Sequence, residues 1–236
     1  MTNLISNLIS VENVCKDYKL GAVTVNALKE INIKISIGEF MTIAGPSGSG
    51  KTTLLNLIGC VDVPTEGELV IDGKGISRLS DKELTELRLN TIGFIFQTFN
   101  LIPVLNVYDN VEFPLLLKND LSKNKKERKE RVMYFLDKVG LADHLNHRPS
   151  ELSGGQRQRV AIARALVSKP KIVLADEPTA NLDSETGQNI IDLMKKINRE
   201  DHTTFIFSTH DTSIIKQAQR VVVLKDGHIS SDEMMK

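Results

Sequence analysis

Two hydrophobic periodicities take turns along this chain. Near the start, "SVENVCKDY" and "ALKEINIKI" mix β-branched and polar residues in partial alternation, which predicts half-exposed antiparallel strands. "EFMTIAG" (39–45) is apolar enough for a buried strand, and it runs straight into a glycine-rich turn. "TTLLNLIG" then predicts a helix closed near Gly59, and "GELVIDGK" (67–74) a short strand with a turn. Ser80 or Asp81 is placed to cap "DKELTELRL" as a helix. After "IGFIFQTFNL" the spacing becomes helical. "SKNKKERKERVMYFLDKVG" offers Ser122 as N-cap and Gly140 as the residue just past the end. Its Val132, Phe135, Leu136 and Val139 fall on one face. The last third returns to strands: "KIVLAD" (171–176) and "TTFIFSTH" (203–210) show little alternation, as a parallel sheet buried on both faces requires. A helix over "SETGQNIIDLMKKI" separates them, with apolar positions 190, 191, 194 and 197, and "RVVVLKDGHI" (220–229) reads as a hairpin turning at Asp226-Gly227. The pattern is α/β, with no long internal repeat and no linker rich in Pro, Gly or Ser.

The length fits one large domain, or a core with a smaller lobe. Of 236 residues, 41% are apolar and 25% charged, and thirty basic residues balance thirty acidic ones. Net charge therefore gives no reason to expect a nucleic-acid partner, and none is expected. Cys15 and Cys60 are too far apart for a metal cluster or a CxxC pair, which suits reduced thiols in the cytosol. "MTNLISNLISVENV" has no basic residue ahead of an apolar stretch and makes a poor signal peptide. No apolar run approaches the roughly 18 residues of a spanning helix, so any membrane crossing is expected to belong to another chain. Residues 118–131 hold seven basic and three acidic residues, read as a solvated helix face.

The candidate chemistry begins at "GPSGSGKT" (45–52), which fills every fixed position of G-x-x-x-x-G-K-[ST] between a strand and a helix. Gly45, Pro46, Ser47, Gly48, Ser49 and Gly50 form a turn whose N–H groups can face phosphate oxygens, and the helix that follows adds the positive end of its dipole. Lys51 supplies a charge for the β- and γ-phosphates, Thr52 a hydroxyl for Mg²⁺, and Thr53 a contact for the α-phosphate. No NKxD guanine motif is present, which favours ATP. "IVLADEP" (172–178) then sets Asp176 and Glu177 at the end of a core strand, where open α/β sheets bind their ligands. Asp176 suits Mg²⁺, and Glu177 is placed to take a proton from an attacking water. His210 ends the next strand and is expected to reach the γ-phosphate.

A second glycine pair, in "LSGGQRQR" (152–159), is harder to explain within one active site. The ordered set Tyr18, "GPSGSGKTT", Gln97, "LSGGQ", "LADEPT", "NLD" (181–183) and His210 resembles the nucleotide-binding subunit of ABC transporters over essentially the whole chain. The resemblance implies the ABC ATPase fold: a P-loop core with a parallel sheet, an antiparallel β subdomain and a helical lobe. Residues 1–97 and 166–236 would form the core lobe, and 98–165 the helical signature lobe. It also implies two copies packed head to tail around two ATP molecules. Ser153, Gly154, Gly155 and Gln156 of one copy would cap the ATP held by the other.

Other positions follow singly from the resemblance. Tyr18 would stack on adenine, Gln97 would sense Mg²⁺ and the attacking water, and Asp183 would cross the dimer interface; "NLDS" reads equally as a helix cap. "GPSGSGKTTLLNLIGCVDVPTEGE" and "FIFQTFNLIPVLNVYDNVEFPLLL" are most similar to the lipoprotein-release and macrolide-export group. That implies an ATPase at the cytoplasmic face of the cell membrane, bound to integral permease subunits. Residues around Phe99–Val107 would touch them, or "NLIPVL" packs the helical lobe, and the two roles are compatible. The competing expectation is a soluble ABC ATPase acting in cell division or on nucleic acid or ribosomes. Such proteins usually carry long coiled-coil or zinc insertions between the two glycine loops, or two ATPase cores in tandem. A P-loop kinase or GTPase would leave "LSGGQRQR" unexplained.

Overall fold

A computed structural model describes residues 7–21, 23–118, 121 and 123–235. Strands β1 (Asn7–Leu20) and β2 (Val23–Ser36) pair antiparallel. Their alternation is only partial because bulges reset it. Buried Val11 and Val14 are three apart around Asn13 (φ 50°), and Leu28 and Ile31 three apart around Glu30 (φ 47°). β3 (Phe40–Ala44) feeds α1 (Lys51–Ile58), which ends at Gly59 as the sequence predicts. β4 (Glu66–Ile71) and β5 (Lys74–Gly75) complete a four-stranded sheet in the order β2-β1-β4-β5.

Then follow α2 (Asp81–Thr91), β6 (Ile92–Ile95), α3 (Val107–Leu116), α4 (Lys125–Lys138) and α5 (Gly154–Leu166). β7 (Ile172–Asp176), α6 (Ser184–Asp201), β8 (Thr204–Thr209), α7 (Thr212–Ile215), β9 (Arg220–Lys225) and β10 (His228–Met234) finish the chain. The second sheet runs β10-β9-β3-β8-β7-β6, parallel except for β10, which returns from β9 through the expected turn at Asp226 (φ 50°) and Gly227 (φ 83°).

The parallel sheet divides two apolar cores. Phe40, Phe205, Phe207, Val173 and Ala175 face the layer of α3, α4, α5 and α6. Met41, Ile43, Ile206, Leu174 and Val222 face α1 and the antiparallel sheet. Successive strand residues point to opposite faces, and here both faces are covered, so these strands lack a polar side. Val132, Phe135, Leu136 and Val139 of α4, and Ile190, Ile191, Met194 and Ile197 of α6, are all buried as their spacing predicts. "FPLLL" (113–117) lies in and just beyond α3.

Helix ends follow local chemistry. Ser80 caps α2 in a reciprocal box with Glu83. α4 ends on Gly140 (φ 73°), where Leu141 N–H donates to Leu136 O and Gly140 N–H to Asp137 O, the paired bonds of a Schellman stop. Its start differs from the sequence expectation. Ser122 lies outside the described residues, and the cap is Asn124, whose side chain accepts from Glu127 N–H at 3.1 Å. Asn124 and Glu127 have capping-box spacing, and Asn124 Nδ2 donates back to Glu127. Both cysteines are free, and burial pushes the Cys60 thiol up to about 11. Among the described residues, no helix is long and apolar enough to cross a membrane.

Candidate nucleotide site

β3, β7 and β8 deliver their C-terminal ends to one edge of the sheet. The loop after β3 needs glycine for concrete reasons. Gly45 has φ 148°, and a Cβ there would stand 2.2 Å from the Leu224 carbonyl oxygen. Gly50 has φ 104°, with Ala27 O only 2.7 Å from its would-be Cβ. Both positions therefore reject any side chain. Lys51 is almost fully buried, and its Nζ donates to Gly45 O and Pro46 O at 2.8 Å each, so the ammonium is folded back over its own loop. Ser49 Oγ is buried without a protein hydrogen-bond partner.

A cleft of about 600 Å³ opens above the loop. Ser47, Gly48, Gly50, Lys51, Thr52 and Thr53 line it, together with Gln97, Asp176 and Glu177. Thr52 Oγ1 donates to Asp176 Oδ2 at 3.2 Å. Ser208 Oγ donates to Asp176 Oδ1 at 2.5 Å, and it accepts from the Glu177 N–H at 3.1 Å. Glu177 holds φ 45°, a left-handed conformation that costs a non-glycine residue about 1 kcal/mol or more. The Ser208 hydroxyl and carbonyl both accept from its N–H and fix that turn. His210 Nδ1 lies 3.0 Å from Glu177 Oε1, and the two share a smaller cavity beside the cleft. The sequence-predicted acid pair, histidine and phosphate loop thus meet at one edge, joined by Ser208. Sequence reasoning missed Ser208; its signal was a hydroxyl interrupting an apolar strand in register with Asp176.

Tyr18, residues 153–156 and Asp183 do not line this cleft. Tyr18 is half-buried, with its hydroxyl donating to Asp62 Oδ2 at 2.9 Å and Thr53 beside it. Ser153 caps α5: its Oγ accepts from Gln156 N–H at 3.2 Å, and Gln156 Oε1 accepts from Ser153 N–H at 2.9 Å. A Cβ on Gly155 would meet Thr186 Cγ2 at 2.5 Å, and one on Gly154 would meet Leu182 at 3.3 Å. The glycine pair therefore lets the start of α5 lie against the start of α6. Asp183 caps α6, and the Thr186 N–H it accepts holds its carboxyl below the ordinary value. Residues 153–156 are not among those lining the 600 Å³ cleft. Two further links escaped sequence reasoning: buried Gln158 donates to Pro178 O at 2.7 Å, and Asn181 donates to Gln97 O at 2.8 Å.

The oxygen donors of the cleft suit a hard divalent cation. Thr52 and Asp176 supply two, and no group of three or more His, Cys, Asp or Glu side chains is placed to hold a metal among the described residues. That fits an ion completed by phosphates and water rather than a protein cage.

A phosphate loop after β3 of a parallel sheet, with a carboxylate pair at the end of β7 one strand removed, defines a P-loop nucleotide hydrolase. The chain matches the family described as "ABC transporter" over residues 28–180. It is 49% identical to the ABC transporter ATP-binding protein MJ0796 of Methanocaldococcus jannaschii over 230 residues, covering 97% of this chain and 98% of that one. A solved structure described as a dimeric post-hydrolysis state of MJ0796 bound to ADP and Pi superposes with a TM-score of 0.89, at 48% identity and 97% and 99% coverage. The macrolide export ATP-binding/permease protein MacB of Bdellovibrio bacteriovorus is 44% identical over 228 residues, which cover 97% of this chain and 34% of that protein. The chain belongs to the ABC transporter family, has the ABC ATPase fold and is an ATPase.

Proposed function

We propose that this chain is the motor subunit of a membrane export or mechanotransmission complex of lipoprotein-release or macrolide-export type. Two copies close head to tail around two ATP molecules and part after hydrolysis. One observation carries the reading: the phosphate loop and Glu177 share a cleft that residues 153–156 of the same chain do not line, although those residues begin a second capped helix whose first-turn N–H groups at Gly154 and Gly155 have no partner from the capping box. A head-to-tail partner supplies the missing side. The dimeric ADP- and Pi-bound structure of MJ0796 supports this arrangement, and the MacB match supports a permease partner.

In this reading Lys51 turns from Gly45 O and Pro46 O to the β- and γ-phosphates, and the loop N–H groups hold the triphosphate. Thr52 and Asp176, with Gln97, hold Mg²⁺, which when bound offsets charge on the phosphate oxygens. Glu177 accepts the proton of a water attacking the γ-phosphorus as the bond to the bridging oxygen breaks. His210 fixes the Glu177 carboxylate through Nδ1–H, and in its doubly protonated form its Nε2–H donates to the γ-phosphate. Tyr18 stacks on adenine. The lobe of residues 98–165 carries Ser153 towards the partner's ATP, and Asp183 meets the same interface. The chain sits on the cytoplasmic face of the membrane, with the permease against Phe99–Val107.

Isolating the chain from native membranes tests the assignment: an integral membrane protein should come with it. Recovery with nucleic acid or ribosomes instead would favour the soluble alternative. Lys51→Ala should weaken ATP binding by about 10- to 100-fold, the worth of a charge-assisted phosphate contact. Unchanged affinity in a calorimetric titration would remove Lys51 from the site.

A further inference from the structure

Tyr18 stands in a network that no motif explains. Lys16, almost fully buried, sends its Nζ to Asp62 Oδ1 at 2.6 Å and to Val63 O at 2.8 Å. The same ammonium lies 5.0 Å from the centroid of the Tyr18 ring. The other Asp62 oxygen accepts from the Tyr18 hydroxyl at 2.9 Å, and Val63 N–H donates to Oδ1 at 2.7 Å. Burial alone would raise the Asp62 carboxyl, but the bonds from Lys16, Tyr18 and Val63 outweigh it and hold it below its ordinary value. Burial, then the Asp62 contact, pushes the Tyr18 phenol up. The network is therefore an ionised pair gripping a neutral phenol.

Its position ties two parts of the nucleotide site together. Asp62 lies just past the end of α1, and its loop is bound to that helix by Val61 and Asp62 N–H groups donating to Asn56 O. Thr53, at the other end of α1, also touches the Tyr18 hydroxyl. The ring is thus referenced to the helix that faces the phosphates. Because Lys16 occupies one face of the ring, a base can stack only on the other.

We propose that Lys16 and Asp62 are positioning residues for the base: they clamp Tyr18 at a fixed offset from α1, so the site binds a phosphate chain and a base at nucleoside spacing. This rests on the reading of Tyr18 as the base platform, and the experiment separates the two. ADP and inorganic pyrophosphate are titrated, each with Mg²⁺, into the full chain. Lys16→Met, Asp62→Asn and Tyr18→Phe should each weaken ADP about tenfold, within the range of base-on-ring stacking, and leave pyrophosphate within about twofold. Tyr18→Ala should do the same, and Asp62→Asn added to it should cost nothing more. Tyr18→Phe keeps the ring and removes only the hydroxyl that Asp62 grips, so it tests the clamp without breaking the ion pair.

If Tyr18→Ala weakens ADP while Lys16→Met, Asp62→Asn and Tyr18→Phe do not, the clamp is refuted and stacking stands. If Tyr18→Ala leaves ADP unchanged, the platform reading falls and the clamp falls with it. Equal losses for ADP and pyrophosphate would mean a general disturbance of the phosphate loop and would also overturn the proposal.

Discussion

Glu177→Gln is expected to lower ATP turnover by about 10²- to 10⁴-fold, the usual worth of a general base, while leaving ATP binding intact. The change preserves shape. An amide oxygen can still accept from His210 Nδ1, 3.0 Å from Glu177 Oε1 in the native chain, and the backbone turn is held by Ser208 rather than by the side chain. Only the capacity to take a proton is lost. Asp176, Thr52 and Lys51 keep their contacts, so the triphosphate should remain bound and the two-copy state should persist instead of relaxing. Single-turnover hydrolysis read beside size-exclusion chromatography in ATP checks both halves. Wild-type turnover would remove Glu177 as the base. Lost binding would show that it serves the ground state rather than the transition state.

Much of the site was legible in the sequence because its chemistry is local. A phosphate loop needs glycine, lysine and a hydroxyl within a few residues, so Gly45 to Thr53 declare themselves, as do Asp176 and Glu177 at the end of an apolar strand. What stayed hidden depends on register or on distant pairing. Ser208 acquires its role only because β8 places it beside Asp176, and Lys16 meets Asp62 across 46 positions. Gly155 is read from the sequence as a phosphate-capping glycine, and its close approach to Thr186 at the start of α6 is a second constraint that no spacing rule announces. In the fold, the parallel strands were plain because both faces are buried. The long antiparallel pair was plain only in part, because bulges at Asn13 and Glu30 shift the period by one. The start of α4 shows competition between nearby caps: Asn124 has a glutamate three residues on, and that reciprocal partner is the signal that selects a cap.

Ser153→Arg should leave nucleotide affinity of the single chain within about twofold and abolish ATP-induced dimerisation in a Glu177→Gln background. Ser153 is exposed, it does not line the phosphate cleft of its own chain, and its hydroxyl serves the N-terminus of α5. Losing that cap costs about 1 kcal/mol of helix or protein stability. A cation at the positive end of the helix dipole adds a smaller penalty. Neither reaches the phosphate loop. The larger consequence is steric and local. In the proposed dimer the long guanidinium side chain would stand where the partner's triphosphate approaches the N–H groups of Gly154 and Gly155, and the close packing of Gly155 on Thr186 leaves the start of α5 little room to withdraw. Ser153→Ala separates the causes, since it removes the cap without adding bulk and should weaken closure rather than abolish it. Sedimentation with and without ATP, beside ADP titrations of the same variants, gives both readings. If Ser153→Arg instead loses nucleotide affinity as a single chain, the signature loop acts on its own chain's phosphate, and the head-to-tail arrangement is wrong.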